Sequence, residues 1–162
     1  MTCMMKEMTW PEFAARKDDI IILPVGSTEQ HAQHLPLCTD AVIAEEFAKA
    51  LAEKVHGVVM PTLSYGYKSK PLSGGGPLFP GTIDLNGETV IRLTYDVLME
   101  LIVVDIANAK ALPYFRYPLY KGDVPESGAL ASANSSSAQR GMIIVDSVIP
   151  ELVKICHKEF AV

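Results

Sequence analysis

The sequence has few cysteines and no long apolar run, and these absences exclude several classes of protein. Cys3, Cys38 and Cys156 are odd in number and far apart, which excludes a disulfide framework and any C-x-x-C zinc or redox motif. A stretch of about twenty apolar residues, the length that crosses a bilayer, is also missing. We therefore expect no membrane partner.

A basic surplus and a targeting signal are missing as well. Lys and Arg total 14 against 19 Asp and Glu, which gives a net charge of -5 and a pI near 5.3. Such a chain has no electrostatic footprint for nucleic acid, so we expect no nucleic-acid partner. Residues 1–7 contain no apolar segment of the signal-peptide type. The sequence therefore predicts a cytoplasmic protein.

The remaining composition is that of an ordinary globular domain. Of the 162 residues, 49% are hydrophobic and 20% are charged, values that argue against wholesale disorder. A chain of this length can bury a sizeable core by itself. We predict a single domain over residues 1–162.

The apolar pattern predicts a strand, a helix and a second strand in the first part of the chain. The continuous apolar run at 20–25, ended by Gly26, is typical of a strand covered on both faces. A helix is predicted over 40–55, because apolar side chains four residues apart form one stripe of Ile43, Phe47, Leu51 and Val55. The second strand is predicted at 58–60. This order is a βαβ unit.

Further patterns complete the predicted fold. Helices are expected over 88–101 and 138–160, the second bent near Pro150, and Trp10 is expected to pack in the interior. Residues 63–86 are rich in Gly and Pro, which predicts a long loop of the kind that usually has a function. The predicted class is α/β: a reduced three-layer α/β/α domain with a short, mainly parallel sheet.

Three residues of metal-ligand type follow the first predicted strand. Glu29, His31 and Asp40 form the pattern E-x-H-x₈-D, and their side chains suit Zn²⁺ or Mn²⁺ and metal-assisted hydrolysis. Sites in open α/β sheets lie beyond the carboxyl ends of the strands, where these residues fall. Two alternatives stay open: Asp40 can be the N-cap of the helix, and His34 can be an added ligand or an outer residue.

The sequence around these residues resembles a known family. Residues 23–41, L-P-V-G-S-T-E-Q-H-A-Q-H-L-P-L-C-T-D-A, resemble the first metal-binding motif of the creatininase (creatinine amidohydrolase) family. Residues 65–82, with Y-G-Y-K-S, S-G-G-G and F-P-G-T, are similar to its substrate loop. The resemblance implies that Glu29, His31 and Asp40 bind Zn²⁺ or Mn²⁺. It also implies that Ser73, Gly74 and Gly75 contact a small-molecule substrate; the alternative is a flexible loop without a role.

The resemblance also implies a missing centre. Residues 1–101 follow the N-terminal half of the family and 103–162 its C-terminal end, whereas the family's central segment has no counterpart. That segment carries an Asn-Gly-His motif, further His and Glu ligands and an acid-base histidine. The four histidines of this chain are His31, His34, His56 and His157, and none fits those positions. No catalytic residue is therefore assigned.

Two functional hypotheses follow from the resemblance. One is a metal-dependent amidohydrolase acting on a small cyclic amide or a related substrate, impaired by the loss of central ligands. The alternative is a catalytically silent family member that serves as an assembly or binding module; an incomplete or spliced reading frame is a third possibility. A homo-oligomer is expected under either hypothesis, because family members commonly form rings and a missing centre would leave apolar faces uncovered.

Overall fold

A computed structural model describes residues 2–67, 79–101 and 137–160. A 3₁₀ turn at Met5–Glu7 precedes the regular elements. In chain order these are α1 (Trp10–Ala14), β1 (Ile21–Ile22), α2 (Thr39–Val55), β2 (Val58–Val59), α3 (Gly87–Leu101) and α4 (Ala138–Phe160). The three long helices lie where the sequence patterns predict them.

The described sheet is short and parallel, and it confirms the predicted βαβ order. Ile21 pairs with Val58 and Ile22 with Val59. The ladder stops at Ile22, earlier than the apolar run predicts, because Pro24 has no N–H to contribute. An isolated parallel bridge between Val25 and Leu63 continues it, and another joins Met4 to Val59.

Helix α2 joins the sheet to α4. One of its faces places Ala48 and Ala52 against Met4 and Val59. The next face places Leu51 and Val55 against Ile149 and Cys156 of α4, and the partly buried Ile20 and Ile22 of the β1 region pack on the same cluster. These two apolar clusters hold α2 against the strands and against α4.

Two packing predictions are wrong. Trp10 is 82% exposed rather than packed, since α1 is a single turn at the surface. Ile43 is 51% exposed, because Ala41, and not Ile43, is the buried residue of the first turn of α2. Cys38 is exposed as well, although free cysteine is among the most buried residue types.

No helix within residues 2–67, 79–101 and 137–160 has the length and apolar character needed to cross a bilayer.

Candidate metal centre

A close backbone approach joins the end of the first strand region to the start of α2. A Cβ added to Gly26 would lie 2.5 Å from the Cα of Ala41 and 2.8 Å from the carbonyl carbon of Asp40. No side chain fits in that space, so glycine is required there. The contact brings the residues that follow Gly26 beside the first turn of α2, where Asp40 lies.

Hydrogen bonds close the loop that carries the candidate ligands. The N–H of Glu29 donates to the carbonyl oxygen of Leu37 at 3.0 Å. Within the loop, the N–H of Ala32 donates to the Gln30 side-chain oxygen at 2.8 Å, and Ala32 has φ 56°, in the left-handed region. The loop is thus turned back sharply just after His31.

The side chains of Glu29 and His31 in this loop meet the side chain of Asp40 in α2. Each is partly buried, and each offers a ligand atom within 4.8 Å of the other two. His31 Nε2 lies 3.0 Å from Asp40 Oδ1. This is the one such group of three His, Cys, Asp or Glu side chains among the described residues. Their convergence is observed, whereas their role as ligands stays a prediction.

The tautomer of His31 follows from its second ring nitrogen. Nδ1 lies 3.0 Å from the backbone carbonyl oxygen of Glu29, and a carbonyl only accepts, so Nδ1 carries the hydrogen. In the neutral ring, Nε2 then directs a lone pair at a carboxylate oxygen. Either a cation between the two atoms or protonation of the ring satisfies this contact.

The observed separation fits a metal ion. Bonds of about 2.0–2.2 Å to one ion place neighbouring ligand atoms about 3–3.5 Å apart, and the Nε2–Oδ1 distance is 3.0 Å. A metal-binding histidine also commonly donates its other N–H to a backbone carbonyl, as His31 does to Glu29. The residues present therefore fit a divalent ion.

The carboxyl group of Asp40 is held in its ionised form. Burial alone would raise its pKa, but the hydrogen bond that the Ser27 hydroxyl donates, and the contact with the His31 ring, lower the pKa below the ordinary value. An anionic carboxylate is the form that binds a cation.

The structure bears on the two alternatives left open by the sequence, the N-cap role of Asp40 and the added-ligand role of His34. The N-cap of α2 is Cys38, with no side-chain capping bond, so Asp40 lies inside the first turn and the capping hypothesis is wrong. His34 is exposed and does not belong to the three-residue cluster.

The candidate substrate residues Ser73, Gly74 and Gly75 lie outside the described residues. The segments on either side of residues 68–78 contact the loop that carries Glu29 and His31. The hydroxyl of Thr28 donates to the Ser64 carbonyl oxygen at 2.8 Å. The N–H of Gln30 donates to the Thr82 hydroxyl at 3.1 Å, and that of Ile83 to the Thr28 carbonyl oxygen at 2.9 Å. The role of the three residues stays a prediction.

Sequence reasoning missed Ser27. Its hydroxyl donates to Asp40 Oδ2 at 2.5 Å and lies 3.2 Å from Glu29 Oε1. The sequence carries no distinctive signal for this contact, because the close approach of Gly26 that places Ser27 beside Asp40 is visible only in the structure.

The α/β fold and the Glu–His–Asp cluster place this chain in the class of α/β domains with a candidate divalent-metal centre. The chain belongs to the creatininase family, since the family model for creatinine amidohydrolase matches residues 6–109.

Two curated relatives are similar over part of their length. Creatinine amidohydrolase from Pseudomonas putida is 43% identical over 98 residues, which are 59% of this chain and 38% of that protein. A mycofactocin precursor peptide peptidase from Mycobacterium ulcerans (strain Agy99) is 37% identical over 98 residues, 54% of this chain and 34% of that protein. The chain therefore matches between a third and two fifths of the length of these relatives.

Solved creatininases share the fold. A mutant creatininase complexed with creatine and a mutant of Zn-Zn type each have a TM-score of 0.78, and a creatininase named for Mn has 0.75. All three are 24% identical, with 99% of this chain and 99% of the other covered. The structural likeness extends further along these chains than the curated sequence matches do, and at this identity it shows the fold alone.

Proposed function

We propose that the chain is a metal-dependent amidohydrolase of the creatininase family. Glu29, His31 and Asp40 would hold one divalent ion, Zn²⁺ or Mn²⁺, and the substrate would be a small cyclic amide or a related compound. The observation that carries the proposal is the convergence of the three side chains, whose ligand atoms all lie within 4.8 Å of one another, with His31 Nε2 3.0 Å from Asp40 Oδ1 and the other ring nitrogen 3.0 Å from a backbone carbonyl oxygen. The Zn-Zn and Mn neighbours support the choice of metals.

The residues of this chain would have distinct tasks. Glu29 supplies a side-chain oxygen and also the backbone carbonyl that orients the His31 ring. Asp40 supplies an anionic oxygen on a helix that the core holds in place. A divalent ion held by these residues would supply Lewis acidity, which would lower the pKa of a water molecule and polarise an amide carbonyl.

Turnover should be well below that of a full-length family member. In this proposal, residues 1–101 and 103–162 of the chain correspond to the N-terminal and C-terminal parts of the family domain. The family's central segment, with the second-metal ligands and the acid-base histidine, would then have no counterpart. Loss of general acid–base help typically costs about 10²–10⁴-fold in rate. The ion that remains should be single, since three ligands suffice for a mononuclear site with open positions.

A second candidate function is supported by the exposed apolar side chains of α3 and α4. Ile91 is 73% exposed and Met142 is 66% exposed, and apolar surface of this kind is typical of protein–protein contacts. The chain would then be a silent module within an assembly. A homo-oligomer and a cytoplasmic location are proposed for both functions.

Metal content and hydrolysis, measured together, separate the two functions. Protein purified without chelator would be analysed for Zn and Mn and assayed with creatinine. A slow hydrolytic rate that chelation abolishes and Mn²⁺ restores supports the enzyme. Bound metal without any hydrolysis supports the silent module, and protein that takes up neither metal contradicts the proposed centre.

A further inference from the structure

The hydroxyl of Ser27 lies between the two carboxylates of the candidate metal centre. Its oxygen is 2.5 Å from Asp40 Oδ2 and 3.2 Å from Glu29 Oε1. A serine hydroxyl has one hydrogen and can donate to one of these oxygens at a time. The shorter distance assigns the donated bond to Asp40.

This bond orients the Asp40 carboxylate relative to His31. With Oδ2 held by Ser27, the other oxygen, Oδ1, lies 3.0 Å from His31 Nε2. A carboxylate can otherwise rotate about its last side-chain torsion, which is broad and has no sharp preference. A donor on one oxygen therefore fixes the plane of the group and presents the second oxygen to the metal position.

The backbone holds Ser27 in place for this task. The preceding Gly26 is packed on the first turn of α2, the turn that carries Asp40. Across the loop, a Cβ added to Gly66 would lie 3.3 Å from the Cβ of Ser27, so backbone also approaches the serine from that side. Main-chain contacts on two sides thus place the backbone and Cβ of Ser27 beside Asp40.

We propose that Ser27 is a positioning residue that orients the Asp40 carboxylate for metal binding beside His31. The part concerning the ion rests on the proposed function. Ser27 itself does not bind the metal: its hydrogen is directed at Asp40, and the effect on the ion passes through that carboxylate.

The first test compares Ser27→Ala with Ser64→Ala. Ser64 is also partly buried, and its hydroxyl contacts the Thr62 carbonyl rather than a carboxylate, so this control removes the same atom without removing a bond to Asp40. Calorimetric titration with Mn²⁺ should give a Kd about 10–100-fold weaker for Ser27→Ala and unchanged for Ser64→Ala. Equal affinities of Ser27→Ala and wild type would overturn the proposal.

A second pair separates the hydroxyl from side-chain volume and covers poor folding of the alanine variant. Ser27→Thr keeps a hydroxyl, and Ser27→Val has nearly the same shape as the threonine variant but no hydroxyl. Threonine should restore Mn²⁺ affinity to within about threefold of wild type, while valine should match alanine. Similar affinities for the two variants would show that volume, and not the hydroxyl, matters.

A metal-free measurement distinguishes failure of this inference from failure of the proposed function. Crystal structures of metal-free wild type and Ser27→Ala, or Ser27→Val, should differ in the Nε2–Oδ1 separation, which should lengthen beyond hydrogen-bond distance in the variant. An unchanged separation overturns the positioning role. If wild type takes up no Mn²⁺, the proposed function fails, and these structures alone decide the role of Ser27.

Discussion

At the scale of single residues, the candidate centre depends on side chains of specific chemistry held by one unusually close backbone contact. The ligand types could be predicted from sequence, because Glu29, His31 and Asp40 combine metal-binding chemistry with short spacing. Ser27 could not, since a serine near a glutamate is common and has no distinctive pattern. Its contact with Asp40 exists only because Gly26 packs directly on α2.

Gly26→Ala should destabilise the protein and weaken metal binding together. The added Cβ would lie 2.5 Å from the Ala41 Cα, so the loop and α2 must move apart, at a cost of about 1–3 kcal/mol or more. Urea unfolding measures the first effect and Mn²⁺ titration the second.

Gly141→Ala is the matched control for that change. Nothing lies within 4 Å of a Cβ at this exposed position inside α4, so alanine should stabilise by about 0.5–1 kcal/mol. A Gly26→Ala variant as stable as this control would mean that the close approach is not needed.

At the scale of elements, helix positions could be predicted more reliably than strand lengths or exposure. The bounds of α2, α3 and α4 follow from apolar periodicity that extends over many residues. The β1 strand is shorter than its apolar run because Pro24 interrupts the ladder. Exposure of Trp10 and Ile43 could not be predicted, since the covered part of a helix depends on which elements pack against it.

Helix α2 is also anchored by Glu45, and this contact predicts a pH-dependent stability. Its carboxylate accepts from Lys6 Nζ and from the Thr62 hydroxyl at 2.8 Å. The Lys6 bond, and then the Thr62 bond, hold the pKa of Glu45 below its ordinary value. Because the pKa of Glu45 is lower in the folded state than in the unfolded state, its ionised carboxylate stabilises the folded state at pH values above the unfolded-state pKa. This stabilisation is lost as the pH falls through the folded-state pKa.

Glu45→Gln should therefore lower the Tm at pH 7, and the difference from wild type should shrink as pH falls below about 4. Glu46→Gln, a change at an exposed carboxylate on the same helix, serves as the control with little expected effect. Thermal unfolding followed by circular dichroism across this pH range measures both. A deficit for Glu45→Gln that does not change with pH would contradict the assigned contact.

At the scale of the whole molecule, exposed apolar side chains on α3 and α4 predict self-association. Ile91→Glu places a charge on the apolar surface of α3, so it should shift the protein to a smaller species in light scattering coupled to size exclusion. Thr89→Glu adds the same charge at a polar, exposed position two residues away and should leave the size unchanged. A wild type that is monomeric at high concentration would contradict the predicted oligomer.

The central claim is that Glu29, His31 and Asp40 together hold one divalent ion, and calorimetric titration of Zn²⁺ or Mn²⁺ tests it most directly. Wild type should bind one ion per chain. Asp40→Ala should abolish that binding, because it removes the anionic oxygen beside His31. His157→Ala, at an exposed position on α4 away from the cluster, should leave binding unchanged. Absence of binding in wild type, or two tight sites that survive Asp40→Ala, would contradict the account.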